Sequence, residues 1–288
     1  VFTRAIIGRA LAYTFLVVSS FIMIWPVLYL VLGAFTTDER FYEASFLPIP
    51  NKFSLEWLVG TGGFWQRAYQ VTLLRTGCYL VVTLAVGIIA GYIFSKMRFP
   101  GRDKVFLLML SGLVMPAILM ILPQFILAAR FPLAGGNNWL GQGGHGFIND
   151  WPVLFMYGWV PPFAIFLFKQ NFDMLPNDYE DAAKVDGAGM FTIIFRVYGP
   201  LLRPTVAALV ILTFLAIWND FLWPSVTIYT NSDWAPISFL IPNADGNRIS
   251  ANPAVFSIFL RVMWPPAAVY FLLQRYFVQG LVASGIKG

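Results

Sequence analysis

The chain contains runs too long and too apolar to be the strands or surface helices of a water-soluble domain. Residues 11–35, 76–95, 105–129 and 151–168 carry no Asp, Glu, Lys or Arg. Each approaches or exceeds the roughly 18–20 residues with which an α-helix crosses a hydrocarbon core. Two further apolar segments, near 204–229 and 254–280, each carry a charge within their outer halves, Asp220 and Arg261. The reading is an all-α integral membrane protein with six spans, at about 11–35, 76–95, 105–129, 151–169, 204–229 and 254–280, forming one transmembrane domain over residues 1–288. Composition agrees, because 58% of the residues are hydrophobic and only 11% charged, against about 25% charged in soluble domains.

An even number of spans puts both termini on one side. Arg4, Arg9, Lys96, Arg98, Arg102, Lys104, Lys169, Lys184, Arg196, Arg203, Arg275 and Lys287 gather on one face, and seven Lys/Arg lie elsewhere. By the positive-inside rule that face, with both termini, is cytoplasmic. Topology therefore accounts for most of the net charge of +5, which does not argue for nucleic acid. The first run has 25 uncharged residues, longer than a signal core, and is expected to be a retained span. The lone Cys78 and lone His145 exclude a disulfide framework and a Cys- or His-rich metal site. No nucleophile, base and orienting group occur at motif spacing, so no catalytic residue is expected.

Prolines interrupt the spans at Pro26, Pro116, Pro123, Pro161-Pro162, Pro224 and Pro265-Pro266. Each removes a backbone donor, giving either ordinary kinks in a bundle or hinges of a transport path. Asp220, beside Asn219, and Arg261 lie at matching depth if their helices run in opposite directions. A charge there is costly, so they either pair or face one water-filled path, or else Arg261 snorkels and Asp220 bonds a neighbouring helix.

Between spans four and five, in a loop of residues 176–200, stands a short acidic stretch, "LPNDYEDAAKVDGAG". Asn177 followed by Glu180 has capping-box spacing. Asp178, Glu180 and Asp181 suit the positive end of a helix dipole, and Gly187 suits its left-handed termination. Tyr179, Ala182, Ala183 and Asp186 share one face at helical spacing, and its two alanines make it shallow enough for another protein to pack against. Phe191, Ile194, Phe195 and Tyr198 then form an apolar face expected to hold the element to the bundle. The capping signals alone fit a connecting helix on the membrane surface equally well.

"EDAAKVDGAG" followed by "RVYGPLLRP" resembles the cytoplasmic loop signature of permease subunits of bacterial ATP-binding-cassette importers. Glu180, Ala182, Ala183, Asp186, Gly187, Ala188 and Pro200 match it, while Asp181 replaces an alanine and Gly199 a leucine. "FLPIPNKFSLEW", "FSKMRFPGRD", "WNDFLWP" and "QRYFVQGLVASGIKG" extend the resemblance along nearly the whole chain. It points to the carbohydrate branch, which includes the maltose importer's G-type permease and the permeases of the alginate importer.

The resemblance implies a transport subunit without its own ATPase site, in which Glu180, Asp181, Ala182, Ala183, Asp186 and Gly187, with Lys287 of the tail, meet an ATPase. ATP and Mg would be held by two partner ATP-binding subunits, since no GxxxxGK[ST] loop occurs in this chain. A second permease, a periplasmic or extracellular solute-binding protein, a carbohydrate substrate and the lipid of the bacterial inner membrane complete the expected partners. Trp139, in a Gly- and Asn-rich loop, and Trp234, Asn243 and Arg248 in the last outer loop are expected to meet the binding protein. The alternative is a secondary transporter or channel driven by ion gradients, for which Asp220 is the one supporting residue.

Overall fold

The computed structural model describes residues 2–43, 46–55, 58, 63–156, 161–229, 233–241 and 253–285. Among these, every regular element is helical. The main ones are α1 (Phe2–Ala34), α2 (Asp38–Glu43), α3 (Gly63–Lys96), α4 (Arg102–Val114), α5 (Ala117–Ala129), α6 (Pro162–Met174) and α7 (Asp178–Val185), followed by α8 (Arg203–Trp218), α9 (Leu222–Thr227), α10 (Ile237–Leu240) and α11 (Pro253–Gly285). Four stretches are long and apolar enough to cross a membrane: Gly8–Ala34, Trp65–Lys96, Arg203–Thr227 and Pro253–Arg275. The pair α4 and α5, bent by 100°, makes up to five.

The chain divides into two compact units. The first comprises residues 1–63 and 241–265. In it, Phe256 packs edge-on to Tyr29 with ring centroids 5.7 Å apart, and Gly33 leaves room for the same ring, since a Cβ there would lie 2.6 Å from Phe256 Cδ2. The buried Thr36 hydroxyl donates back to Leu32 O and reaches Pro48 O at 2.8 Å, fixing the turn after α1.

The second unit comprises residues 64–240 and 266–288 and holds the larger core. On α6, Ala164, Ile165, Phe168 and Phe172 are buried on one helical stripe. Ile88 and Tyr92 of α3, Ile193, Ile194, Tyr198 and Leu202 of the following segment, and Leu209 of α8 close around the phenylalanines. Gly87 and Gly91 let α3 and α6 approach: a Cβ at Gly91 would lie 2.6 Å from Phe168 Cβ and 3.0 Å from Lys169 N. In lipid, where apolar tails compete equally for apolar side chains, such close backbone contact is a main source of helix association.

Several expected spans have different boundaries. The charge-free run starting at residue 76 belongs to a helix that extends back through Arg75 and Arg67 to Gly63, because Arg75 finds an internal partner. The fifth is broken at Asn219 to Phe221, where α8 ends and α9 begins. The fourth is interrupted by prolines: Trp151–Phe155 is a 3₁₀ turn, residues 157–160 lie outside the described residues, and α6 starts at Pro162. Of the expected kinks, Pro116 coincides with a 100° turn, whereas Pro26 sits inside a continuous helix. Phe106 of α4 packs on Phe94 and under the Lys169 ammonium. α5 contacts α9, and twenty residues beyond α5 the Asn149 N–H donates to Thr227 O at the end of α9.

Candidate coupling site

The acidic stretch forms α7 at the α6 end of the larger core. Leu175 leaves the helical region before Pro176, as a residue preceding proline tends to do. The ammonium of Lys96, the last residue of α3, then donates to Leu175 O at 2.8 Å and to Asn177 Oδ1 at 2.7 Å. A cation thereby meets the carbonyl end of α6, where the helix dipole favours it.

The expected capping box does not form. Asn177 makes no side-chain cap bond, because Lys96 takes its carbonyl oxygen. Glu180 turns into the bundle instead, with 6% of its surface exposed. Its Oε1 accepts from the Tyr92 hydroxyl at 2.9 Å and pairs with Lys184 Nζ at 2.7 Å. Bonds to a charged acceptor are roughly twice as strong as neutral ones, so the phenol from α3 outcompetes the local backbone. Glu180 therefore ties α7 to α3 from within and does not belong to its outward face. The bond to Glu180 raises the Lys184 pKa. Burial, followed by the nearby Glu180 and Asp181 charges, lifts the Tyr198 phenol to about 12, keeping it a donor toward Pro176 O.

Gly187 ends the helix as expected, at φ 80°. Its N–H donates to Lys184 O at 3.0 Å and Ala188 N–H to Ala183 O at 2.9 Å, the paired bonds of a Schellman termination. Ala183 and Ala188 pack against the core. The face expected to hold Tyr179, Ala182, Ala183 and Asp186 together is thus split. Tyr179, Asp181, Ala182 and Asp186 point outward with Val185, which is 88% exposed, and Ala183 points inward.

The segment beyond Gly187 also divides. Ile193–Tyr198 is π-helical, so Ile193, Ile194 and Tyr198 are all buried while Phe191 and Phe195 stack on each other outside. Met174 and Val185 are likewise exposed, as are the acidic Asp178, Asp181 and Asp186.

Replacing Tyr92 by phenylalanine removes the hydroxyl and leaves the ring. We expect unfolding of the detergent-solubilised protein to become easier by about 1.5–3 kcal/mol, the usual worth of a bond to a charged group. Unchanged stability would show that Lys184 alone satisfies Glu180.

At the opposite end, Asp220 pairs with Arg75. Depth along the helices had left open both a pair with Arg261 and a bond to a neighbouring helix, and the partner seen comes from α3. Arg75 is 1% exposed, donates from Nε to Leu154 O at 3.2 Å, and stacks over Tyr79. Asp220 also accepts from Trp223 N, and its own carbonyl takes the Ser238 hydroxyl. Asn219 donates back to Leu215 O within its helix. The pair therefore joins α3, the 3₁₀ turn, the break between α8 and α9, and α10.

Of the expected binding-protein contacts, Trp139 is 76% exposed on a loop that is built rather than a slack tether. The buried Asn137 donates to Ala129 O and Phe131 O and accepts from Gly144 N, while Asn138 accepts from Leu140 N and Gln142 N. Trp234 lies under the Arg67 guanidinium at 5.1 Å. Asn243, Arg248 and Lys287 lie outside the described residues. Sequence reasoning missed Arg75, Tyr92 and Lys96, whose roles depend on residues 79 to 145 positions away.

Comparison with known proteins fits this geometry. Residues 83–282 match the family model described as the binding-protein-dependent transport system inner membrane component. The chain is 28% identical to the arabinooligosaccharides transport system permease protein AraQ of Halalkalibacterium halodurans, covering 93% of each chain. It is also 28% identical to the lactose transport system permease protein LacG of Rhizobium radiobacter, covering 94% of each. Its fold is similar to a chain of a bacterial ABC transporter involved in the import of the acidic polysaccharide alginate, with TM-score 0.77 and 19% identity over 94% of this chain and 96% of that one. The matched family model covers the core, α7 and the Arg75 partner Asp220, and the chain belongs to the binding-protein-dependent transport system inner membrane components.

Proposed function

We propose that this chain is one permease subunit of an ATP-driven importer of oligo- or polysaccharides in the bacterial inner membrane, with α7 as the element that receives the work of ATP hydrolysis. The observation that carries this is the construction of α7. It is short, sharply terminated, and fastened to α3 by Glu180 and Lys96, yet its other face is exposed, apolar and acidic. An element held rigidly on one side and open on the other transmits a push from a partner to α3 and α6.

On this reading all six apolar segments cross the membrane as one permease domain, with α4–α5 as a broken span and residues 151–174 as another. The Lys/Arg bias puts α7 and both termini in the cytoplasm. Two ATP-binding subunits hold ATP and Mg and dock on α7, a second permease completes the path, and a solute-binding protein meets the outer loops at Trp139 and Trp234. The saccharide assignment rests on the arabinooligosaccharide and lactose permeases that the chain resembles over nearly its full length.

Reconstitution with the partner permease, the ATPases and the binding protein tests the proposal. Saccharide uptake into proteoliposomes should require ATP, and should stop when either the ATPases or the binding protein are omitted. Uptake driven by an ion gradient without ATP would overturn it in favour of a secondary transporter.

A further inference from the structure

The turn between α3 and α4 is fixed by packing, yet two of its cations find no partner among the described residues. α3 is long and apolar enough to cross a membrane and ends at Lys96, so the turn emerges at the depth of the lipid headgroups. Phe94, near the end of α3, packs on Phe99 with ring centroids 6.0 Å apart and on Phe106 of α4 at 5.3 Å. Gly101, at φ 78°, turns the chain, and Val105 N–H donates to Gly101 O at 2.9 Å as α4 starts. The Ser95 hydroxyl donates to Asp173 Oδ1 at 2.6 Å, which fixes the same end of α3 to α6.

Of the basic side chains at this end, Lys96 donates to Leu175 O and Asn177 Oδ1, Lys169 pairs with Asp173, and Arg102 pairs with Asp103. Arg98 and Lys104 are exposed and make neither a hydrogen bond nor an ion pair with any described residue. Between and beside them in the chain, Met97, Phe99, Val105, Leu107 and Leu108 are exposed as well, and α4 buries none of its residues. An anionic bilayer surface answers both kinds of group. Long basic side chains lay their stems along apolar surface and keep the charge at the headgroups, and each such cation adds attraction to an anionic leaflet. An acidic soluble protein would offer the charge alone.

We propose that the α3–α4 turn is a docking site for anionic phospholipid, with Arg98 and Lys104 holding the headgroup phosphate and the exposed side chains of α4 meeting the acyl chains. The lipid is then a ligand of the very end of α3 to which Lys96 and Tyr92 fasten α7.

The test uses the full chain in detergent, titrated with dioleoylphosphatidylglycerol or dioleoylphosphatidylcholine and read by native mass spectrometry. The acyl chains are identical, so any difference reports the headgroup. The anionic lipid should bind about 10- to 30-fold more tightly, the worth of two basic side chains at an anionic surface. Arg98→Gln with Lys104→Gln should cut that preference at least fivefold, while Arg98→Lys with Lys104→Arg should keep it. Lys52→Gln with Arg130→Gln removes the same charge from exposed positions elsewhere and should leave it unchanged. Without lipid, all of these variants should unfold at the wild-type midpoint. Equal binding of the two lipids by the wild-type chain, or equal losses in the two glutamine variants, overturns the site. Displacement of the lipid by millimolar inorganic phosphate overturns the lipid assignment in favour of a free anion. Loss of ATP-binding subunits from the complex of the 98/104 glutamine variant, with its lipid preference intact, overturns it in favour of a protein partner.

Discussion

Arg75→Met is expected to destabilise the permease by about 3–5 kcal/mol, the cost of stranding one member of a buried ion pair. The guanidinium is 1% exposed and serves three elements: it pairs with Asp220, donates to Leu154 O and stacks on Tyr79. Asp220→Asn should cost less, because an amide oxygen can still accept from Trp223 N. Neutralising both residues removes the unpaired charge, so the double variant should be more stable than Arg75→Met alone. Denaturation of the four proteins of this cycle in detergent gives the coupling energy directly. Simple additivity would mean that the two charges act independently and that the junction of α3, α8, α9 and α10 is held by packing.

The second large effect separates the two alanines of α7. Ala183 packs against the core and Ala182 points outward. Ala183→Trp should overpack the seat of α7 and destabilise the isolated permease, at roughly 1–3 kcal/mol or more. Ala182→Trp should leave the isolated permease as stable as before, yet abolish ATP-driven uptake by blocking close approach of a partner. Equal stability loss in the two variants, measured by thermal unfolding in detergent, would contradict the orientation of the helix.

The apolar runs and the terminating glycine were legible in the sequence because both are local. Gly187 adopts its left-handed conformation to close two bonds within six residues, and the span-length runs report only what lipid requires. The inward turn of Glu180 was not legible, because capping-box spacing between Asn177 and Glu180 is a local signal that Lys96 and Tyr92 override from another helix. Asp220 was recognised as a buried charge that needs a partner. Of the alternatives left open for it, a bond to a neighbouring helix is the one seen, and Arg75 could not be named as the partner because it stood just outside the charge-free run. Prolines marked where spans break, but not by how much: Pro116 lies at a 100° turn and Pro26 within an unbroken helix. The split of Phe191 and Phe195 from Ile194 and Tyr198 has a similar origin, since an i, i+3, i+4 pattern presumes an α-helix and the segment is π-helical.

On the proposed function, α7 transmits force from an ATPase on its outward face to α3 on its inward one. Thiol cross-linking in the assembled complex tests it most directly, in a Cys78→Ser background with single cysteines placed at Val185 and Asp186 on the outside and at Ile194 on the buried side. Cysteines at 185 and 186 are expected to cross-link to an ATP-binding subunit and the cross-link to arrest uptake, while the cysteine at 194 forms none. Uptake that continues undiminished with α7 cross-linked, or an ATPase reached from position 194 and not from 185 or 186, would contradict it.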